Sequence, residues 1–201
     1  MPDSDDLLRM EGQILQRLYE PFFPTFDGAN LRDVPEEQGF DKVTFDNLLD
    51  RMSNAGFITG GMSGNYRITG MGAVRAEELG VTPVELTQTN QKARTDILLA
   101  LAKVYEEKGR LYSAYKRGLE KELGLTSHIV TGNLIVLDEL GYAEPAENGH
   151  YRIKERGLDA VQDYKRVKGV ADEFERISKL APQPRGRALQ KLVARMIAQQ
   201  G

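Results

Sequence analysis

The sequence predicts a mainly α-helical protein with small β-hairpins, built as two similar units in tandem and followed by C-terminal helices. Two observations predict this fold class. Segments with apolar residues at helical spacing are followed by short segments that alternate in strand fashion around polar, glycine-containing turns. The same order of helix, glycine, hairpin and glycine occurs twice, over residues 39–72 and 124–157. A repeat of this kind indicates one supersecondary unit present in two copies.

The second copy shows the pattern most clearly. Val130, Leu134 and Leu137 recur at helical spacing, and Gly141 follows as the usual residue for a left-handed C-cap. A polar turn over residues 145–149 then separates two extended segments. The pattern predicts a helix, a hairpin and the start of a further helix.

The first copy lies 85 residues earlier and matches the second without a gap. The matched positions are the glycines that punctuate the elements and the apolar groups expected to be buried. Agreement at those positions indicates an internal duplication. The matched pairs are Gly39 and Gly124, Phe45 and Val130, Leu49 and Leu134, Met52 and Leu137, Gly56 and Gly141, Tyr66 and Tyr151, Ile68 and Ile153, and Gly72 and Gly157.

The repeated unit resembles a winged helix-turn-helix domain, through the glycine after its main helix and the Tyr-Arg-Ile strand, both found twice. The resemblance covers most of residues 6–164. It implies that the third helix of each unit is a reading helix and that the hairpin is the wing. It also implies duplex DNA binding, most often by transcription regulators of bacterial type.

Unit one is expected over residues 1–80. Pro21 and Pro24 are expected to end its first helix, and Asp41 is a plausible N-cap for its third. The predicted elements are a first helix over 6–23, a second over 31–38, a third over 41–55, a wing over 57–68 and a closing helical turn over 73–79.

A linker is expected over residues 81–92, because this stretch contains a proline and several threonines. Unit two is expected over 93–168 and a C-terminal helical extension over 169–201. The predicted helices are 93–108, 111–123, a reading helix that ends at Gly141, 157–180 with Leu158, Val161, Val170, Phe174 and Ile177 buried, and an amphipathic helix over 186–199.

Charge is distributed unevenly along the 201 residues, whose net charge is −3. Residues 1–90 carry a net −8, residues 91–175 a net −1 and residues 176–201 a net +6. A phosphate backbone would repel the acidic unit one but not unit two. The absence of cysteine excludes disulfides and thiolate metal sites, and it suits the cytoplasm, where we expect the protein. The N-terminus has no apolar run long enough for a signal peptide or a membrane span.

Four polar residues are predicted to lie on the outer face of the reading helix of unit two, where the resemblance places base contacts. Asn133 is a candidate for pairing with an adenine edge, although its counterpart in unit one is Leu48. The alternative interpretation is an ordinary solvated polar face. The four residues are Ser127, His128, Thr131 and Asn133.

Cations on the second helix and the wing of unit two are predicted to contact phosphates. Arg117 and Lys121 share a helix face, with Lys116 to one side, and His150 and Arg152 are expected to point outward from the wing. A further cluster comprises Lys165, Arg166 and Lys168. The alternative is solvated charge balanced by neighbouring glutamates.

The corresponding helix of unit one carries Asp46 and Asp50, which argue against contact with DNA. We therefore expect unit one to bind a protein partner or a second copy of the chain. The C-terminal helix is a further candidate for dimerisation. A protein-interaction scaffold, a known use of acidic tandem winged helices, is the rival to DNA binding.

Residues 182–197 also resemble, weakly, a segment that precedes the nuclease domain of some restriction-type proteins, which suggests a DNA-targeting portion of a longer protein. Catalysis finds no support in the motifs, because no set of residues has the spacing of an acid–base, nucleophilic or phosphate-binding site. The two histidines lie in different elements without metal-ligand spacing. We expect neither an enzyme nor a bound cofactor or metal.

Overall fold

The computed structural model describes residues 4–25, 27–179, 188–192 and 196. It confirms the predicted fold class: two winged helix-turn-helix units follow one another and lead into C-terminal helices. Unit one comprises helices α1 (Ser4–Thr25), α2 (Val34–Gln38), α3 (Lys42–Asn54) and α4 (Gly70–Glu78), with strands β1 (Ala29–Asn30), β2 (Ile58–Gly60) and β3 (Asn65–Ile68). Unit two comprises α5 (Val84–Lys108), α6 (Lys116–Leu123), α7 (Ser127–Glu139) and the start of α8 (Glu155–Ser178), with β4 (Ala114–Tyr115), β5 (Ala143–Ala146) and β6 (His150–Ile153).

Each unit contains a three-stranded antiparallel sheet with the Tyr-Arg-Ile strand at its centre. The orders are β1-β3-β2 and β4-β6-β5. The registers correspond as well, because Ala29 pairs with Tyr66 in the first sheet and Ala114 pairs with Tyr151 in the second. The two-residue strands β1 and β4 are too short to give a sequence signal, so the sequence predicted only the hairpins.

The duplication extends to unusual backbone conformations. Ser63 and Asn148, at the tips of the two wings, both adopt left-handed conformations with φ of 59° and 56°. The glycines after α3 and α7, Gly56 and Gly141, have φ of 77° and 76°. A left-handed backbone conformation costs free energy unless the residue is glycine or a small polar residue. Both copies have residues of these types at the same turns.

Each unit has its own apolar core. In unit one, Ile14, Leu18 and Phe22 of α1 pack with Phe45 of α3 and Ile68 of β3. In unit two, Ile97 and Leu101 of α5 pack with Val130, Leu134 and Leu137 of α7. Phe45 and Val130, the counterparts at the centre of the repeat, are 1% and 0% exposed. The apolar faces that the spacing predicted are therefore the faces that are buried.

Several helix boundaries differ from the prediction, and three of these differences follow from features of the structure. Helix α1 runs from Ser4 through Pro21 to Thr25, two residues beyond the predicted end, and the rings of Phe22 and Phe23 are buried. Helix α6 begins at Lys116 rather than at residue 111, because residues 114–115 form strand β4.

The third difference is at the predicted linker, where α5 begins at Val84. The threonines that suggested a linker bond within the helix: the hydroxyls of Thr87 and Thr89 donate to carbonyls four residues earlier, at 3.1 and 2.8 Å. Such bonds satisfy a hydroxyl inside a helix without breaking it.

Helix α8 continues into a second compact unit, Asp159–Gly201, whereas the first compact unit, Met1–Leu158, contains nearly all of both winged helices. Val161 and Ile177 are buried as predicted, but Phe174 is 56% exposed, so its predicted burial is wrong. Residues 188–192 are helical, and the rest of the predicted helix over 186–199 lies almost wholly outside the described residues. Most of the restriction-like segment over 182–197 lies outside them too.

Two matched glycines fix the start of the helix that follows each wing. A Cβ at Gly72 would lie 1.9 Å from the carbonyl oxygen of Phe57, and a Cβ at Gly157 would lie 2.2 Å from that of Tyr142. These distances are far below van der Waals contact, so only glycine fits without a backbone shift. The close approach seats each of these helices against the residue that precedes the first wing strand of its unit.

We expect Gly72→Ala and Gly157→Ala each to lower the free energy of unfolding by about 3 kcal/mol, because the added methyl group overlaps backbone atoms. Urea unfolding followed by circular dichroism measures the change. Gly118→Ala in α6 is the control, since a Cβ there meets nothing within 4 Å, and this variant should gain up to about 1 kcal/mol. Equal stability of Gly72→Ala and the wild type would contradict the packing.

Candidate nucleic-acid interface

Helix α7, the predicted reading helix of unit two, is buried on two sides. Val130 and Leu134 face the core of unit two, whereas Val136 belongs to the core of unit one and is 0% exposed. The counterpart of Val136 on α3 is Arg51, which is exposed. Unit one therefore covers a part of α7 whose counterpart on α3 is exposed to solvent.

A small residue permits this close packing. The N-terminus of α4 lies on α7, where a Cβ at Gly70 would be 2.9 Å from the carbonyl oxygen of Val136. The Gly70 N–H donates to the carboxylate of Glu139, near the end of α7. Gly132, which costs helix stability in isolation, is buried. The absence of a side chain at Gly70 thus allows α4 to approach the backbone of α7 closely.

A buried polar network joins the two units beside this contact. The carboxylate of Glu77 accepts from Arg94, and the two side chains are 2% and 11% exposed. Tyr19 donates to Glu77 at 2.8 Å and accepts from Asn90 at 2.9 Å. Burial and the charge of Glu77 raise the pKa of Tyr19, so it remains a neutral donor. Asn133 completes the network by accepting from Arg94 at 3.2 Å and donating to Asn90 at 3.0 Å.

The prediction that Asn133 lies on the outer face of the reading helix is wrong. Its side chain is 0% exposed, and besides its two partners in the network it donates to the Ile129 carbonyl at 2.8 Å. The physical reason is that unit one covers this side of α7. Its counterpart Leu48 is also buried, at 5% exposure, so this position faces inward in both copies. Asn133 orients the units and cannot reach a base edge.

The start of α7 remains open. Ser127 and His128 are exposed, and Thr131 is half-buried. The Thr131 hydroxyl donates to the Ser127 carbonyl at 2.7 Å and accepts from the Lys116 ammonium at 3.1 Å. This bond ties the start of α6 to the exposed part of α7 and brings together two residues that the sequence predicted separately.

Helix α6 adds further cations to the same part of unit two. Arg117, next to Lys116, is exposed, and so is Lys121 one turn later. Because positions four apart share a helix face, Arg117 and Lys121 form a positive edge. The acidic residues of the helix, Glu120 and Glu122, lie to its sides.

His150 and Arg152, which were predicted to point outward from the wing, both make contacts within it. His150 is half-buried, with Nδ1 3.0 Å from the carbonyl oxygen of Glu147. Arg152 lies opposite Glu144 in the β5–β6 register, and its Nε is 3.5 Å from a carboxylate oxygen of that residue. Much of the charge of Arg152 is therefore balanced within the wing.

Tyr115 is a residue of this surface that sequence reasoning missed. Its ring is 43% exposed, and its centroid is 5.0 Å from that of His150, across the β4–β6 pair. The available signal was an aromatic residue directly before the cations of α6. The surface therefore combines an aromatic pair with the side chains of Lys116, Ser127, His128 and Thr131.

The corresponding surface of unit one is acidic, as predicted. Asp46 and Asp50 are exposed on α3. Burial raises the pKa of Tyr66 on the wing, and the charges of Asp50 and Asp46 add to the rise. Val43, at the start of α3, is 68% exposed.

The part of the chain that the structure describes contains no group of three or more histidine, cysteine or acidic side chains arranged to hold a metal ion. Among the same residues, no helix has the length and apolar character needed to cross a membrane.

No protein-family model matches the chain, and no curated protein matches it. One solved structure that it resembles is the mRNA-binding domain of elongation factor SelB from E. coli in complex with SECIS RNA. The sequences are 16% identical, the match covers 72% of this chain and 98% of that one, and the TM-score is 0.28.

We expect Glu77→Ala to lower the free energy of unfolding by about 3–5 kcal/mol, because it leaves the guanidinium of Arg94 buried without its partner. Chemical unfolding monitored by fluorescence or circular dichroism gives the value. The neighbouring Glu78→Ala is the control, since that side chain is 63% exposed and its loss should cost less than about 0.5 kcal/mol. Similar losses for the two variants would refute a buried network between the units.

Proposed function

We propose that the chain binds duplex DNA through unit two, as a transcription regulator or a similar DNA-binding module. The observation that carries the proposal is the hydrogen bond from Lys116 to Thr131, which sets the cationic start of α6 beside the exposed start of α7. Cations next to short polar side chains on an open helix are the combination that contact with phosphates and base edges requires.

The shape of the surface supports this proposal. In helix-turn-helix proteins the first residues of the reading helix contact base edges in the major groove. In α7 those residues are the exposed ones, whereas unit one covers the later turns. No carboxylate occurs on α7 before Asp138, so the exposed start of the helix does not repel phosphates.

The position of each residue on unit two determines the role that we propose for it. Lys116 and Arg117 contact the backbone, as do His150 and Arg152 on the wing. Base edges are read by Ser127, His128 and Thr131. The pairing of Arg152 with Glu144 makes it the weakest of these candidates.

A second candidate function, a protein-interaction scaffold, is favoured by unit one. Its helix α3 presents the apolar side chain of Val43, 68% exposed, together with Asp46 and Asp50. An apolar residue beside carboxylates suits a protein surface with a complementary basic rim rather than a nucleic acid. We infer that unit one binds a protein, and the two functions can coexist in one chain.

We expect Arg117→Ala to weaken binding to all duplexes alike and to reduce the slope of log affinity against log salt by about 1, because one phosphate contact is lost. Fluorescence anisotropy with a labelled random duplex over a salt series measures both. Arg51→Ala on α3 removes the same charge from unit one and should leave binding unchanged.

His128→Ala and Thr131→Ala should instead alter sequence preference in a selection from random duplexes. No binding to any duplex at low salt would refute DNA binding. A flat DNA titration together with stoichiometric recovery of one protein partner would select the scaffold.

A further inference from the structure

Helix α8 carries an apolar stripe that faces solvent. Within the unit Asp159–Gly201, three large apolar side chains of this helix are exposed: Tyr164 by 40%, Val167 by 64% and Phe174 by 56%. Ala171, between them, is exposed as well. Large apolar side chains gathered on one face of a helix, rather than scattered singly, mark an interaction surface.

The spacing of the stripe is that of a coiled coil. From Ala160, the residues Tyr164, Val167, Ala171 and Phe174 follow at intervals of four, three, four and three, which places these five residues at successive a and d positions of a heptad. Val161 and Val170 lie on the two flanks and are buried and half-buried. The opposite face of the helix is polar or small, with Gln162, Arg166, Gly169, Glu173 and Arg176. A narrow seam of this kind fits a second helix, whereas a helix packed on a globular core shows a broader apolar face.

The charges that flank the seam complement those of a second copy. Lys168 and Glu175 lie on one flank and Asp163 on the other. Parallel pairing places Lys168 opposite Asp163 of the other copy, whereas the antiparallel register that pairs Val167 with Ala171 places the two Lys168 side chains opposite each other. Within the described part of the chain Lys168 makes no ion pair, and its ammonium lies 6.0 Å from the centroid of the Tyr164 ring. In the parallel arrangement both Lys168 side chains gain carboxylate partners, so the flanking charges favour parallel pairing.

We propose that a second copy of this chain covers the stripe, so that two α8 helices pair along residues 160–174 as a short coiled coil. The seam spans about two heptads, so association depends on concentration. This dimer is independent of whether unit two binds DNA, and its test uses the protein alone.

Sedimentation velocity over a concentration series provides the first test. The weight-average mass of the wild type should rise from 22.5 kDa towards twice that value. Phe174→Asp should stay at the monomer mass, because a carboxylate enters the seam. Gln162→Asp adds the same charge on the opposite face and should associate as the wild type does, and circular dichroism should show equal helix content in all three. A wild type that stays monomeric to its solubility limit, or a Phe174→Asp variant that associates equally well, would overturn the proposal.

Disulfide trapping provides the second test, because the chain contains no native cysteine. Val167→Cys alone should form a covalent dimer readily if the helices are parallel, since like positions then face each other. A mixture of the single variants Val167→Cys and Ala171→Cys should form the mixed dimer preferentially if they are antiparallel. Gln162→Cys is the control and should react slowly. Trapping of the stripe variants no faster than the control would refute the pairing in both directions.

Discussion

The buried ion pair between Glu77 and Arg94 is the interaction on which the arrangement of the first compact unit depends. Two charges removed from water are tolerable only when each meets the other and their remaining hydrogen-bonding atoms find partners. Tyr19, Asn90 and Asn133 supply those partners, and they come from α1, α5 and α7. Few relative positions of the two winged helices satisfy all five side chains together, so the network specifies one of them. Apolar packing of Val136 against α1 and α4 then supplies the non-directional part of the stability.

This arrangement makes the two copies of the duplicated unit chemically unequal. The backbone of α3 repeats in α7, residue for residue, yet Arg51 is exposed where Val136 is buried. Helix α7 gives part of its surface to contact with unit one. Helix α3 keeps its outer surface open, and that surface is acidic. One fold thus presents two different surfaces, and a function inferred for one copy does not transfer to the other.

The sequence was informative where the determinants are local. Glycines, N-caps and core spacing act within a few residues, so the offset of 85 residues predicted both units and their wings. The burial of Asn133 is set by another unit of the chain, which periodicity within α7 does not detect. One signal was present: Ile129, Ile135 and Val136 make α7 apolar beyond its core stripe, as in helices that are covered on more than one side. The error at Phe174 is the reverse, because an apolar residue at helical spacing was assigned to a core although it lies on the exposed apolar stripe of α8.

Under the proposed DNA binding, the contact of unit one with α7 limits how many side chains of unit two can reach bases. That proposal leaves three side chains for base edges, and each well-formed bidentate contact discriminates by about 1–3 kcal/mol. Ser127 and Thr131 form fewer bonds per base than such a pair, so a single copy of unit two would prefer its site only weakly over other duplexes. Two copies joined through α8 would present two such surfaces, and the second would bind at a high effective concentration. In that case selectivity comes from the spacing of two half-sites as much as from any one side chain, and the acidic unit one keeps the rest of the protein away from the phosphates.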